Sequence, residues 1–329
     1  MTEALPDFTL HRPESLPALA DLFRQTPGAR PIAGGTDLLP NLRRGLVDAP
    51  ALIDLTALPG FAAIEPQPDG GLRLGAGVRL VDLTRAPELA GPREAIVQAA
   101  RGVAGPAHRN AATLGGNLCQ DTRCLYYNQS DWWRAANGYC LKYRGDICHV
   151  APQGNRCRAA FASDLAAPLI ALGAKVALSG PEGERRIALN DLYRNDGADH
   201  LALEPGEILL EVHLPPFTGV SAYEKACQRA GIDFPLAGVG AALAPVAGGW
   251  RLSLAVTGTD SRPVAIDGLD APLDLPLAED MLARVDKAVQ KQVSPMRSTM
   301  ISSHYRRLAA AALARRLAQR LADQALAGQ

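Results

Sequence analysis

Five of the six cysteines fall between residues 119 and 157: Cys119, Cys124, Cys140, Cys148 and Cys157, with Cys227 far downstream. The same stretch carries Tyr126, Tyr127, Trp132, Trp133, Tyr139 and Tyr143, four of the seven tyrosines and two of the three tryptophans in a chain only 5% aromatic. Cys124, Cys140, Cys148 and Cys157, at intervals of 16, 8 and 9 residues, offer four thiolates to one tetrahedral or cubane site. Structural zinc and iron–sulfur clusters both accept four cysteines. A zinc ribbon would show two short cysteine knuckles; Cys119 and Cys124 have no matching second pair, and a compact ferredoxin run is also missing. Spacing alone leaves a cluster, zinc and unligated cysteines open. Rings such as Tyr126, Trp132, Trp133 and Tyr139 would exclude water from a cluster, and burial helps set a cluster's potential. Arg123, Lys142, Arg144, Arg156 and Arg158 outnumber Asp121, Asp131 and Asp146, which suits an anionic thiolate centre; a solvated basic loop face is the plain alternative.

Two further segments could hold a ligand. Ile32-Ala33-Gly34-Gly35-Thr36-Asp37-Leu38 runs from apolar residues into paired glycines, a hydroxyl and a carboxylate, and Thr113-Leu114-Gly115-Gly116-Asn117 offers the same parts again. Paired glycines let a backbone turn tightly and present amides without a Cβ in the way, as a pyrophosphate requires. Neither is a G-x-G-x-x-G turn or a P-loop, and in a chain with 31 glycines most such pairs are ordinary turns. The six histidines, 11, 108, 149, 200, 213 and 304, are scattered, and no nucleophile–base pair emerges. Any chemistry therefore belongs to cofactors that the chain positions and tunes.

The elements that must position these residues read as follows. Ser15 to Gln25 has helical spacing, with Ser15 as N-cap and Pro17 in the first turn. ALIDLTAL, from residue 51, suits a buried strand, and strand-like pieces follow from about Phe61, including GGLRLGAGVRLVDL. Helices are expected around Arg93 to Arg101 and Asp164 to Leu172, then strands AKVALSG and EILLEVHLPP. SAYEKACQR, PLAGVGAALAPV and WRLSLAVTGT read as consecutive strands of an antiparallel sheet, and Ala278 to Gln290 and Ser303 to Leu326 as helices packed on it. The chain divides at about 58 and 217: residues 1–57, 58–217 and 218–329.

Composition excludes some functions. Lys plus Arg equals Asp plus Glu at 34 each, so the chain has no electrostatic case for nucleic acid or an acidic membrane surface. Zero net charge favours association with other chains. The N-terminus lacks a basic n-region and an apolar h-region, so cytoplasmic localisation is the expectation. In a reducing cytoplasm clustered cysteines are more often ligands or redox centres than disulfides.

PIAGGTDLLPNLRRG, RNAATLGGNLC, Ser163-Asp164 before LAAPLIALGA, GEILLEVHLP and SSHYRRLAAAALARRL occur in order from about Pro31 to Leu321. Together they resemble the FAD-binding medium subunit of the molybdenum hydroxylases, the xanthine dehydrogenase and carbon monoxide dehydrogenase family. The resemblance implies an α+β fold with two FAD-binding subdomains and a C-terminal antiparallel sheet with packed helices. It implies that FAD lies between the first two parts, its pyrophosphate on Ile32, Ala33, Gly34, Gly35, Thr36, Asp37 and Leu38, joined by Thr113, Gly115, Gly116 and Asn117. Asp164 would lie near the ribityl or adenosine end, Ile208 and Leu209 would line the pocket, and Lys225 would stand near the flavin. The ordinary readings are a helix N-cap for Asp164 and a solvated strand residue for Lys225.

In such relatives the glycine motif passes quickly to the Asp-Leu helix, whereas here about forty residues, 121 to 161, intervene. So long an insertion needs something to order it. GGNLCQDTRC, YNQSDWWR and ANGYCLKYRGDICHV resemble the beta subunit of the 4-hydroxybenzoyl-CoA reductases, which carries an extra [4Fe–4S] cluster in such an insertion. The resemblance implies that Cys124, Cys140, Cys148 and Cys157 ligate that cluster, leaving Cys119 and Cys227 as small buried residues. It implies a large molybdenum-cofactor partner, a small partner with two [2Fe–2S] clusters and a dimer of heterotrimers. Ferredoxin would donate electrons through the cluster and FAD to molybdenum. An oxidising hydroxylase subunit for another acyl-CoA or an N-heterocycle, and a zinc-stapled scaffold without flavin, are the alternatives.

Overall fold

In the computed structural model, which describes residues 4–229 and 233–328, the strands collect into three sheets. In the first, β1 (Thr9–His11) and β2 (Arg30–Ile32) flank β3 (Ala51–Asp54), all parallel. Parallel neighbours need crossovers, and α1 (Leu16–Gln25) and α2 (Leu38–Arg43) lie in them. Helix α1 forms where its spacing predicts, with Ser15 Oγ accepting the Ala18 amide at 3.3 Å. The central strand is the apolar run ALID; the residues after it turn into a short 3₁₀ helix rather than extending the strand.

The second sheet is antiparallel, in the order β4-β5-β8-β6-β7, built from β4 (Ile64–Pro66), β5 (Leu72–Gly75), β6 (Lys175–Gly180), β7 (Gly183–Ala188) and β8 (Ile208–Leu214). Between β5 and β6 run α3 (Leu80–Leu83), α4 (Glu94–Gly102), α5 (Pro106–Ala111), α6 (Leu114–Leu118), α7 (Asp131–Ala136) and α8 (Ala166–Ala171). The piece VRLVDL, expected as strand, ends in α3: Leu80 and Leu83 are both fully buried, and a three-residue interval puts two side chains on one side of a helix.

The third sheet, in the order β12-β11-β10-β9, comprises β9 (Val220–Ala226), β10 (Ala237–Val246), β11 (Gly249–Thr257) and β12 (Val264–Ala265), all antiparallel as expected. Its two faces follow the alternation of a strand. Val239, Ala241 and Leu243 pack with α9 (Glu279–Gln292) and α10 (Ser303–Ala327), while Ala242 belongs to the core of the second sheet. Helix α8 crosses that inner face at Gly240, where a Cβ would lie 2.3 Å from the Pro168 backbone nitrogen. Among the described residues no helix is long and apolar enough to cross a membrane. The sheets break between β3 and β4 and between β8 and β9.

Helix α10 carries a fully buried cation that its sequence does not advertise. The Arg306 guanidinium donates to the carbonyls of Leu236 at 3.0 Å, Met296 at 2.8 Å and Gly258. Burial pulls its pKa down to about 10, still well above neutrality. Arg306→Met leaves those carbonyls without donors and should destabilise the fold by about 3 kcal/mol, read as a lower urea midpoint with an unchanged slope.

Candidate functional site

Where β2 ends, the chain enters the first glycine loop, and geometry explains both glycines. A Cβ on Gly34 would sit 1.9 Å from the Ala111 carbonyl oxygen, so this loop meets the start of the second glycine segment backbone to backbone. Gly35 has φ +68°, in the left-handed region that glycine adopts without strain. All seven residues from Ile32 to Leu38 line a cleft of about 650 Å³, with Thr113, Gly116, Cys119 and Gln120 opposite. A second cavity of about 300 Å³ shares Thr36, Asp37, Gly116 and Gln120 with it and adds Asn117 and Asp164.

Short hydrogen bonds tie the walls together. Thr113 Oγ1 accepts the Gly116 amide at 3.1 Å and caps α6. Asn117 Oδ1 accepts from Ser163 Oγ at 2.7 Å and from the Leu165 amide at 3.2 Å, joining the glycine motif to the Ser163-Asp164 pair. Asp164 does not cap α8; it sits beside the Lys225 ammonium at 2.9 Å and accepts from Tyr223 Oη at 2.8 Å. Burial pushes its carboxyl up against the pull of those two partners. Lys225 is not a solvated strand residue either: its side chain is 8% exposed and also donates to the carbonyls of Gly102 and Asp233.

Other expected residues stand back from the cavities. Gly115 packs on Ala76. Ile208 and Leu209 are buried in the core of the second sheet, while Glu207, one residue earlier, reaches the cleft. Cys119 is half-buried on the cleft wall rather than hidden, and burial of its thiol raises the pKa to about 12. Cys227 lies just past β9, half-buried.

The insertion begins and ends at one neck, where the Arg123 and Ala160 backbones exchange hydrogen bonds of 2.7 and 2.8 Å. Cys124, Cys140, Cys148 and Cys157 all line a single small pocket there, with Tyr126, Tyr127 and His149. Among the described residues no three His, Cys, Asp or Glu side chains gather closely enough to hold one metal ion. Burial raises the Cys124 thiol, opposed by amides of Tyr126 and Tyr127, and raises Cys157 to about 12, opposed by the Ala159 amide 3.4 Å from its Sγ. A bound cation would reverse both shifts, because it favours the thiolate. The rings divide unexpectedly. Tyr126 stacks on His149 with centroids 5.3 Å apart, whereas Trp132 is 79% exposed and shields nothing.

Sequence reasoning missed the residues that dock this insertion. Arg134 is 2% exposed, lies 4.5 Å from the Tyr143 ring centroid and donates to the Gly45 carbonyl at 3.0 Å; Tyr127 Oη donates to the Leu46 carbonyl at 2.9 Å. His200 is buried in the cleft wall, and its Nε2 donates to the Gln120 carbonyl at 2.9 Å. No local pattern marks any of these, since their carbonyl partners lie far off in the chain.

The chain matches the family described as the FAD-binding domain in molybdopterin dehydrogenase over residues 6–217. It belongs to that family. It is 36% identical over 277 residues to the FAD-binding subunit of an aldehyde oxidoreductase of Escherichia coli K12, covering 81% of this chain and 86% of the relative. Among solved structures it is similar to a chain of the cyanide-inactivated Cu,Mo-CO dehydrogenase, with a TM-score of 0.78 at 25% identity, covering 98% and 100% of the two chains. A chain of quinoline 2-oxidoreductase from Pseudomonas putida 86 shares the fold, with a TM-score of 0.76 at 24% identity over 98% and 99%. The chain is thus a FAD-binding subunit of the molybdenum hydroxylase family, with the mixed helix and sheet architecture expected. The cleft suits such a cofactor. Asn41 Oδ1, Gln120 Nε2 and Arg123 Nε are buried polar atoms on these cavities without a protein partner, and such atoms call for a ligand.

Burial holds the pKa of His200 below the ordinary 6.5. The unfolded chain then binds more protons than the folded one between the lowered value and 6.5, so stability rises with pH across that window. Urea midpoints at pH 7.5 and 5.5 should differ less in His200→Asn than in the parent. A remainder will come from His213, which burial also lowers.

Proposed function

We propose that this chain is the electron-transfer subunit of an oxidising molybdenum hydroxylase acting on an aldehyde-class substrate, with FAD in the cleft and a [4Fe–4S] cluster on Cys124, Cys140, Cys148 and Cys157. One observation carries the electron-transfer reading: Tyr127 and Lys142 form part of the wall of both the cleft and the four-thiol pocket, so the two cavities share a partition. The aldehyde class rests on the 36% identity to the aldehyde oxidoreductase subunit. A large molybdenum-cofactor subunit would hold the substrate and a small subunit two [2Fe–2S] clusters, in a dimer of heterotrimers.

Ile32 to Leu38 would take the pyrophosphate, with Thr113, Gly116 and Asn117 opposite and Asp164 in the second cavity. Lys225 would act through Asp164, and Gly115, Ile208 and Leu209 by packing behind the walls. The four thiols share one pocket, and the likeness of the insertion motif favours a cluster over zinc. Amides aimed at Cys124 and Cys157, and the Lys142 ammonium near Cys157, partly offset the burial that raises both thiols. When bound, FAD exchanges one or two electrons and such a cluster one at a time.

The insertion motif favours a second reading, in which electrons enter from ferredoxin and the partner dehydroxylates 4-hydroxybenzoyl-CoA. Anaerobic isolation of the complex should give about eight iron and eight sulfide per heterotrimer, about four of each from this chain, and one FAD. Aromatic or aliphatic aldehyde should then bleach the flavin. Bleaching by reduced ferredoxin but by no aldehyde moves the protein to the second reading, and stoichiometric zinc with only about four iron per heterotrimer removes the cluster. Cys148→Ser should lose about half of the iron of the complex, read by iron assay, together with the [4Fe–4S] EPR signal of the dithionite-reduced sample.

A further inference from the structure

Asp37 stands at the N-cap position of α2, yet its carboxylate makes no capping bond to that helix. It turns instead toward the insertion. One oxygen pairs with the Arg123 guanidinium and the other accepts the Asp121 amide at 2.9 Å. Arg123 directly precedes Cys124, and its guanidinium lies 4.8 Å from the Phe234 ring centroid. A second line arrives from the loop between Cys140 and Cys148: the Lys142 ammonium, 6% exposed, donates to Asp121 Oδ1 at 2.6 Å and to Thr122 Oγ1 at 2.5 Å. Arg123 thus meets the Asp37 carboxylate of the first glycine loop directly, and Lys142 reaches it through Asp121, whose backbone amide donates to the same carboxylate.

We propose that Arg123 and Asp37 form a clasp through which occupancy of the four-thiol pocket and FAD binding favour each other, making Arg123 a positioning residue for the flavin. This rests on the reading that both sites are loaded. Holding the thiols fixes the neck, the neck fixes Asp37, and Asp37 sets the loop that faces FAD. Coupling of this kind is reciprocal: whatever factor the cluster adds to flavin affinity, flavin adds to cluster affinity.

The test uses the full-length chain, with FAD dissociation constants from flavin fluorescence and metal and sulfide counted on the same samples. Arg123→Met should weaken FAD by about tenfold and speed iron loss to a chelator. Arg123→Lys should recover part of both effects. Asp37→Asn combined with Arg123→Met should be no worse than the more severe single change, because both break one contact. Cys148→Ser should weaken FAD by a comparable factor. Parent-like FAD affinity in Arg123→Met that keeps its iron, or fully additive effects in the double variant, overturns the clasp. Parent protein that holds FAD and zinc but no iron refutes the cluster reading; the clasp then stands if removing the zinc weakens FAD and falls if it does not.

Discussion

A side chain at position 34 would put its first carbon 1.9 Å from the Ala111 carbonyl oxygen, and the rest of the cleft depends on that vacancy. The approach brings the end of the first, parallel sheet against the run from α5 to α6. It places two glycine segments, some eighty residues apart in the chain, on opposite walls of one cavity. Around this contact the structure leaves polar atoms of Asn41, Gln120 and Arg123 buried and unpaired. An apolar cavity would have no such atoms to satisfy, so their presence fits a large, polar, hydrogen-bonding cofactor.

Charge and aromatic contacts hold the insertion alongside a small buried cluster of Leu46, Cys124, Tyr127, Cys157 and Ala159. Arg123, Arg134 and Lys142 each place a cation where it meets either an acid, a carbonyl or a ring face, and Tyr127 reaches the Leu46 carbonyl. These anchors fall on the first sheet's subdomain and on the neck itself. The four thiols line one pocket at that neck, where burial disfavours the charged forms of Cys124 and Cys157 until a cation arrives. The pocket and the cleft are therefore two sides of one partition.

Much of the framework was legible. Ser15 capping α1, the helical runs that became α4, α9 and α10, and the antiparallel strands after residue 217 all follow from patterns that repeat within a few residues. The two glycine motifs stood out in the sequence and line one cleft, and the four cysteines stood out as a group and line one pocket. Less visible were the positions where burial overrides type. Trp132, a ring expected to shield the thiols, lies exposed, while Arg134, two residues on, is buried. Asp164 and Lys225 have unremarkable local settings, and only the packing of β9 against α4 and the segment before α8 turns them into a buried ion pair.

What the sequence by itself determined was whatever rests on neighbours in the chain: caps, periods, paired glycines, the order of the motifs and the family they indicate. Tertiary structure alone decided which distant groups meet, such as Arg123 with Asp37, Lys225 with Asp164, and Arg306 with the carbonyls of Leu236, Met296 and Gly258. The reason is physical. A local pattern is set by backbone geometry over a turn or two, whereas the partner of a buried charge is set by desolvation, which only the whole packed chain imposes.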